Sequence, residues 1–228
     1  TPMKITFLGH AALLIETGSH RLVVDPFITG NDLAKDKINL EDLRPDVILL
    51  THAHQDHVLD VEALASPGGA QIISNFEIVS YYQNKGLEGH PMNHGGAREF
   101  DFGWLKYVNA VHTSSFADGT YGGQPGGFLL KSGGKTVYIA GDTALHMDMQ
   151  LIPSVAKPDL AVLPIGDNFT MGVADAVRAA DFVDCNRVLG VHYNTFGYIV
   201  IDTGDALRQF EAGGKTLLLP GIGETVEV

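Results

Sequence analysis

Two stretches of this chain repeat one plan, and the repeat limits the folds open to it. Leu13-Leu14-Ile15-Glu16-Thr17-Gly18-Ser19-His20-Arg21-Leu22-Val23-Val24 and Phe128-Leu129-Leu130-Lys131-Ser132-Gly133-Gly134-Lys135-Thr136-Val137-Tyr138-Ile139 both run apolar strand, Gly turn, apolar strand. That is the pattern of a β-hairpin. Arg44-Pro45-Asp46 then introduces Val47-Ile48-Leu49-Leu50, and Lys157-Pro158-Asp159 introduces Leu160-Ala161-Val162-Leu163, at nearly the same spacing from its own hairpin. Each unit has apolar strand faces to cover, so the expected assembly is two sheets packed face to face with helices outside, an α/β fold built from two similar halves.

Helical spacing of apolar residues appears from Asp60 to Ala65, Asn75 to Asn84 (with Gly86 as the stop), Asp175 to Asp184, and Asp205 to Ala212. Val188-Leu189-Gly190-Val191 and Thr216-Leu217-Leu218-Leu219 read as further buried strands. Gly95-Gly96 and the stretch from Gly122 to Gly127 read as loops. No linker or low-complexity segment divides the chain, so residues 1–228 are expected to form a single domain.

The hexapeptide His52-Ala53-His54-Gln55-Asp56-His57 comes one residue, Thr51, after the apolar run that ends at Leu50. Three imidazoles and a carboxylate at the end of a core strand cost free energy unless something compensates them. A divalent metal does so, because imidazole and carboxylate are its usual nitrogen and oxygen ligands. His112 follows Leu105-Lys106-Tyr107-Val108-Asn109-Ala110-Val111, Asp142 follows Val137-Tyr138-Ile139-Ala140-Gly141, and His192 follows Val188-Leu189-Gly190-Val191. Each is a ligand type at the carboxyl end of an apolar strand, where loops converge on a site in layered α/β folds. One metal would use part of this set; two sharing a carboxylate would use all of it.

These seven residues resemble the signature of the metallo-β-lactamase superfamily, His-x-His-x-Asp-His followed by a distant His, Asp and His. The resemblance implies a four-layer αββα sandwich with a dinuclear site at one edge. It further implies that His52, His54 and His112 hold one metal, that Asp56, His57 and His192 hold the other, and that Asp142 bridges them. Closer in, Ile5-Thr6-Phe7-Leu8-Gly9-His10-Ala11, Pro164-Ile165-Gly166-Asp167-Asn168-Phe169-Thr170-Met171-Gly172 and His192-Tyr193-Asn194-Thr195-Phe196 resemble small metal-dependent hydrolases related to the ascorbate-6-phosphate lactonases. Gly197 departs from the Pro expected after that Phe, and His146 stands where an apolar residue is usual; a surface position is expected for His146.

A dinuclear site would lower the pKa of a bound water from ~15.7 to about 7 and make a nucleophile at neutral pH. Asp56 and Asp142 are the carboxylates expected to act in catalysis, Asp56 by orienting the nucleophile and Asp142 as the bridge. His10 and Asp25 are candidates to support the ligands, since metal-bound His rings donate their other N–H to a carboxylate or carbonyl. In the register of the repeat, His52 aligns with Ile165 and His54 with Asp167. The loop from Gly166 to Gly172 should therefore face the site, with Asp167, Asn168 and, further on, Asn194 bonding the metal-holding side chains or touching substrate. A helix-capping role for Asn168 is the alternative. The loops 84–97 and 116–126 are expected to wall the pocket.

The function expected is hydrolysis of a small ester, lactone or phosphoester with two divalent ions, Zn²⁺ or Mn²⁺ before Fe²⁺ or Ni²⁺. The alternatives are a phosphodiesterase acting on nucleotides or RNA and, in another class, a metal-binding protein without turnover. A formal charge of −12, from 15 basic and 27 acidic residues, disfavours nucleic acid as a partner, because affinity for phosphate backbones rests on Lys and Arg. The expected partner is a small-molecule substrate; exposed strand edges leave room for a homo-oligomer. No apolar run approaches the ~18–20 residues of a membrane span. The lone Cys185 and an N-terminal region without the marks of a secretory signal fit a cytoplasmic location. Neither a Gly-x-Ser-x-Gly elbow nor a Walker-type phosphate loop is present.

Overall fold

The computed structural model describes residues 2–228. Strands β1 (Lys4–Phe7), β2 (Leu13–Thr17), β3 (His20–Val24), β4 (Val47–Leu49), β5 (Gln71–Ser74) and β6 (Gly89–Pro91) form one sheet. A second sheet holds β7 (Ala97–Phe100), β8 (Gly103–Asn109), β9 (Gly126–Ser132), β10 (Lys135–Ile139), β11 (Leu160–Pro164), β12 (Arg187–Val191) and β13 (Thr216–Leu218). The last strand, β14 (Thr225–Glu227), returns to the first sheet beside β1. The orders are β14-β1-β2-β3-β4-β5-β6 and β13-β12-β11-β10-β9-β8-β7. In both sheets three antiparallel pairings are followed by three parallel ones, with β3 on β4 matching β10 on β11. The two halves thus share one topology, as the repeat predicts.

Strand alternation produces the layers. In β3, Leu22 and Val24 point into the core between the sheets, whereas Val23 points outward; in β11, Leu160 and Val162 point in, whereas Ala161 and Leu163 point out. Both faces of the central strands are apolar, so both need cover. Helices α1 (Leu40–Leu43), α2 (Gln55–Val58), α3 (Val61–Gly68) and α4 (Phe76–Gln83) follow in the first half. The outer face of the first sheet packs on Val61, Leu64, Ile78 and Val79 of α3 and α4. Helices α5 (Ile152–Val155), α6 (Val173–Phe182) and α7 (Thr203–Ala212) follow in the second half, and Ala176, Ala179, Ala206 and Phe210 cover the second sheet. Three apolar cores separate four layers, α, β, β and α. No helix of the described residues is long and apolar enough to cross a membrane.

Three expectations need correction. Gly126 and Gly127 are not loop but open β9, because the Tyr107 ring lies where a side chain at Gly126 would be. The strand before His112 stops at Asn109, so Ala110 and Val111 belong to the connection. The segment 84–97 is not a plain loop: it contributes edge strand β6, and Pro91 is tolerated there because an edge needs fewer N–H donors.

Strand direction explains where a site can form. β1, β3 and β4 run the same way, so the residues after them, His10, Asp25 and His52, emerge at one edge. β8, β10, β11 and β12 likewise run together, and His112, Asp142, Asp167 and His192 follow them. The Tyr107 hydroxyl of the second sheet donates to the Thr51 carbonyl of the first (2.8 Å), which locks the two edges together beneath this point.

Candidate metal centre

The hexapeptide works because its backbone changes conformation halfway. His52 leaves β4 extended, His54 is still extended at φ −60°, ψ 146°, and the single turn of α2 then swings Asp56 and His57 back over the strand end. His52 and His57 are fully buried, His192 and Asp142 nearly so, and His54 and His112 half-exposed. The ligand atoms of His52, His54 and His112 lie within 4.8 Å of one another, as do those of His10, Asp56, His57 and His192.

Asp142 lies between the two groups. Its Oδ2 is 3.0 Å from His192 Nε2, 3.1 Å from His57 Nε2, and 3.5 Å from both His52 Nε2 and His112 Nε2. Yet the Nε2 atoms of His52, His57 and His192 are buried without an aligned hydrogen-bond partner, and so is Asp142 Oδ1. Buried polar groups in native folds are nearly always paired. Three orphaned imidazole nitrogens within 3.5 Å of one carboxylate oxygen, all of them metal-ligating types, fit a divalent metal site.

Hydrogen bonds fix which nitrogens are free. His52 Nδ1 lies 3.0 Å from Thr51 Oγ1, and Thr51 Oγ1 donates to Asp25 Oδ2 at 2.6 Å. Asp25 Oδ2 also accepts from His57 Nδ1 at 2.8 Å, and Asp25 Oδ1 accepts from the Thr51 N–H at 2.9 Å. The chain His52–Thr51–Asp25–His57 occupies both Nδ1 atoms and so turns both Nε2 lone pairs toward Asp142. On the other side, His10 Nε2 donates to Asp56 Oδ2 at 2.8 Å, and the His10 carbonyl accepts from the His192 N–H at 2.9 Å. Thr195 Oγ1 closes on His10 Nδ1 at 2.7 Å. His54 Nε2 meets Thr113 Oγ1 at 3.3 Å.

Burial lowers His52 far below its usual range and holds His10 at about 4. Burial pulls His57 and His192 down too, but Asp142 and Asp56 outweigh it, raising His57 well above the usual range and His192 to about 9. Burial raises Asp25, partly offset by its bonds to His57 and Thr51. For Asp142 burial acts upward, yet His192 and His57 hold the carboxyl far below its ordinary range.

The backbone is strained where these residues turn. His10 (φ 55°), Asp25 (φ 45°), His192 (φ 60°) and Asn194 (φ 60°) all occupy the left-handed region, at about 1–2 kcal/mol each. Gly166 sits directly behind His192, and a Cβ there would strike the His192 carbonyl.

Several expectations at this edge fail. Asp167 and Asn168 form a left-handed pair (φ 62° and 59°), which folds the Asp167 carboxylate back onto the Asn168 N–H and into a separate groove with Asp175, Asp202 and Asp205. Neither side chain is brought to the histidines, nor does Asn168 cap α6, whose N-cap Gly172 has no side-chain bond. Loop 166–172 serves through its backbone instead: the Met171 N–H donates to the Thr143 carbonyl beside Asp142. The Asn194 side chain bonds the Ile201 N–H and closes the loop that carries Thr195, Phe196 and Tyr198. His146 is half-buried rather than on the surface, with burial lowering its pKa, and it lies outside the cavity lining.

A cleft of about 900 Å³ opens onto Asp56, His112, Asp142 and His192. Its walls are Phe27, Thr113, Ser115, Phe116, Ala117, Phe169, Phe196, Gly197 and Tyr198. Of the two expected wall loops, 116–126 contributes through Phe116 and Ala117, and 84–97 contributes nothing. Thr51, Thr113 and Phe27 were not signalled by the sequence, since a Thr or a Phe in a connection is commonplace.

With this edge described, comparison with known proteins is direct. The family model of the β-lactamase superfamily domain matches residues 4–192, and the chain belongs to that superfamily. It is 60% identical, over 99% of its length and 100% of the relative's, to a UPF0173 metal-dependent hydrolase of Christiangramia forsetii. It is 46% identical to YtkL of Bacillus subtilis, which carries the same description, over 99% of this chain and 100% of that one. Among solved structures, Igni18, a metallo hydrolase from Ignicoccus hospitalis, superposes with a TM-score of 0.91 at 34% identity, covering 100% of this chain and 99% of that one.

Proposed function

We propose that the protein is a dinuclear metal-dependent hydrolase of a small ester, lactone or phosphoester. The observation that carries this reading is the ring of unpaired, buried Nε2 atoms around Asp142. His52, His54 and His112 would hold one ion, Asp56, His57 and His192 the other, and Asp142 both. The same description, metal-dependent hydrolase, attaches to the relatives in Christiangramia forsetii and Bacillus subtilis. A His/Asp set of this kind suits Zn²⁺ or Mn²⁺ and accepts Fe²⁺ or Ni²⁺.

Two divalent ions would lower the pKa of a water toward neutrality and polarise the oxygen of the electrophile. The protein's own groups do the rest. Asp25 and Thr51 keep His57 and His52 in the tautomer with Nε2 bare. His10 holds Asp56 through a hydrogen bond and His192 through its carbonyl. Asp56 faces the cleft, where it can accept a hydrogen bond from the attacking water and orient it. The aromatic walls limit how much solvent reaches the reacting bond.

The test is reconstitution. Protein stripped by chelator should regain hydrolysis of an ester, lactone and phosphoester panel as metal is added, reaching full activity only at the second equivalent. Asp142→Ala should lose most of it at equal metal supply. Full activity at one equivalent or none would overturn the dinuclear mechanism.

A further inference from the structure

The cleft has a composition that the hydrolase reading does not require. Among the described residues no Lys or Arg lines it. The lysine of the adjoining groove, Lys85, is paired with Glu62 at 2.8 Å and lies over the Tyr81 ring. The charged groups that face the cleft, Asp56 and Asp142, are anions belonging to the metal set. Away from them the wall is carbon with a few hydroxyls and amides.

Its aromatics are also more exposed than folding alone explains. Phe169 is 51% exposed, Tyr198 77% and Phe196 37%. Phe169 and Tyr198 meet edge to face at 5.8 Å at the mouth, while Phe196 leans on Phe27 at 6.1 Å deeper in. Phe116 forms the opposite wall, backed by the stacked Tyr81 ring. Apolar side chains left in water around a concave site mark a surface that gains by being covered. The Asn194 side chain and the strained turn at His192 hold this loop in place without any partner.

We propose that the site takes an uncharged acyl substrate, a carboxylic ester or lactone bearing an aromatic or alkyl substituent, and discriminates against substrates that carry an anion away from the reacting bond. This inference rests on the hydrolase reading and narrows it. A carboxylate or phosphate tail lying along the aromatic wall, away from the reacting bond, would leave water for a carbon surface with no Lys or Arg to pair it. A phenyl or alkyl group would instead cover Phe169, Phe196 and Tyr198. In the reaction one water adds to the carbonyl carbon and the acyl C–O bond breaks. The products are a carboxylate, an alcohol and one released proton.

The experiment compares matched substrates on metal-loaded protein: p-nitrophenyl butyrate against mono-p-nitrophenyl succinate, with p-nitrophenyl phosphate and bis-p-nitrophenyl phosphate alongside. The neutral ester should lead the succinate in kcat/KM by about a hundredfold. Phe169→Ala and Tyr198→Ala should each raise KM for the butyrate roughly tenfold at unchanged metal content. Equal or better turnover of the anionic ester, or a phosphoester as best substrate, would overturn the proposal and leave the hydrolase reading standing. Turnover of none of the four despite two bound metals would count against the hydrolase reading instead. The substrate class is then judged by calorimetric titration with neutral 4-phenylbutyramide and with phenyl phosphate. Binding of the amide alone, weakened in Tyr198→Ala, supports the proposal; no binding of the amide overturns it.

Discussion

Asp25 never reaches the cleft, yet the centre should depend on it. Its carboxylate accepts three hydrogen bonds in a fully buried position: from the Thr51 N–H, the Thr51 hydroxyl and His57 Nδ1. Asp25→Asn keeps the shape but replaces one oxygen by a donor, which must face either the Thr51 N–H in place of Oδ1 or both the Thr51 hydroxyl and His57 Nδ1 in place of Oδ2. A lost hydrogen bond to a charged group costs roughly 1.5–3 kcal/mol. The ring can restore the bond only by moving its proton from Nδ1 to Nε2, and a protonated Nε2 cannot bind metal. Outer partners of this kind change metal affinity by about 10–100-fold, or roughly 1.4–2.7 kcal/mol, the same range. The assay is competition against a chromogenic chelator, with far-UV circular dichroism to verify the fold. The weaker of the two metal affinities should fall by that factor. A folded Asp25→Asn protein that binds both metals within twofold of the parent would refute the argument.

Other expectations are as direct. Gly166→Ala, by pressing on the His192 carbonyl, should weaken the metal held by Asp56, His57 and His192 more than its neighbour, read as a split in the stepwise affinities. Gly197→Ala should be tolerated and stabilise by about 0.4–1 kcal/mol, since an added Cβ meets nothing there; thermal unfolding decides it. The Cys185 thiol is raised by burial, so the native protein should react slowly with a thiol reagent at pH 8 and rapidly in denaturant. His10 is held at about 4 when folded against 6.5 when unfolded, so the unfolded chain gains the proton first as pH falls. Its share of stability is present above about 6.5 and lost on the way down to about 4. Between pH 7 and pH 5 chelator-stripped parent should therefore lose about 2 kcal/mol more than chelator-stripped His10→Asn.

How much of this was legible in the sequence depended on whether the signal was local. The hexapeptide and the repeat are written in consecutive residues, so the His/Asp cluster and the paired sheets could be read directly. The three single candidates, His112, Asp142 and His192, were readable because each follows an apolar run. What escaped depends on backbone turns without a sequence mark. The left-handed pair at Asp167 and Asn168 rotates those side chains away, and alignment with His54 could not reveal that. Thr51 acts because it follows β4 beside Asp25, a contact made only when β3 and β4 pair. The edge strand β6, a three-residue Gly-His-Pro, carries no pattern at all. The aromatic cleft gathers residues from four separate loops, and each of them alone looks like an ordinary exposed or core position.

The central claim is that Asp142 joins two metal positions. The direct measurement is metal content per chain after equilibrium dialysis against Zn²⁺ and then Mn²⁺, for the parent, His54→Ala and Asp142→Ala. The account predicts two ions in the parent, one in His54→Ala, and weakened binding at both positions in Asp142→Ala. A parent that saturates at one ion, or an Asp142→Ala protein that keeps two with parental affinity, would contradict it.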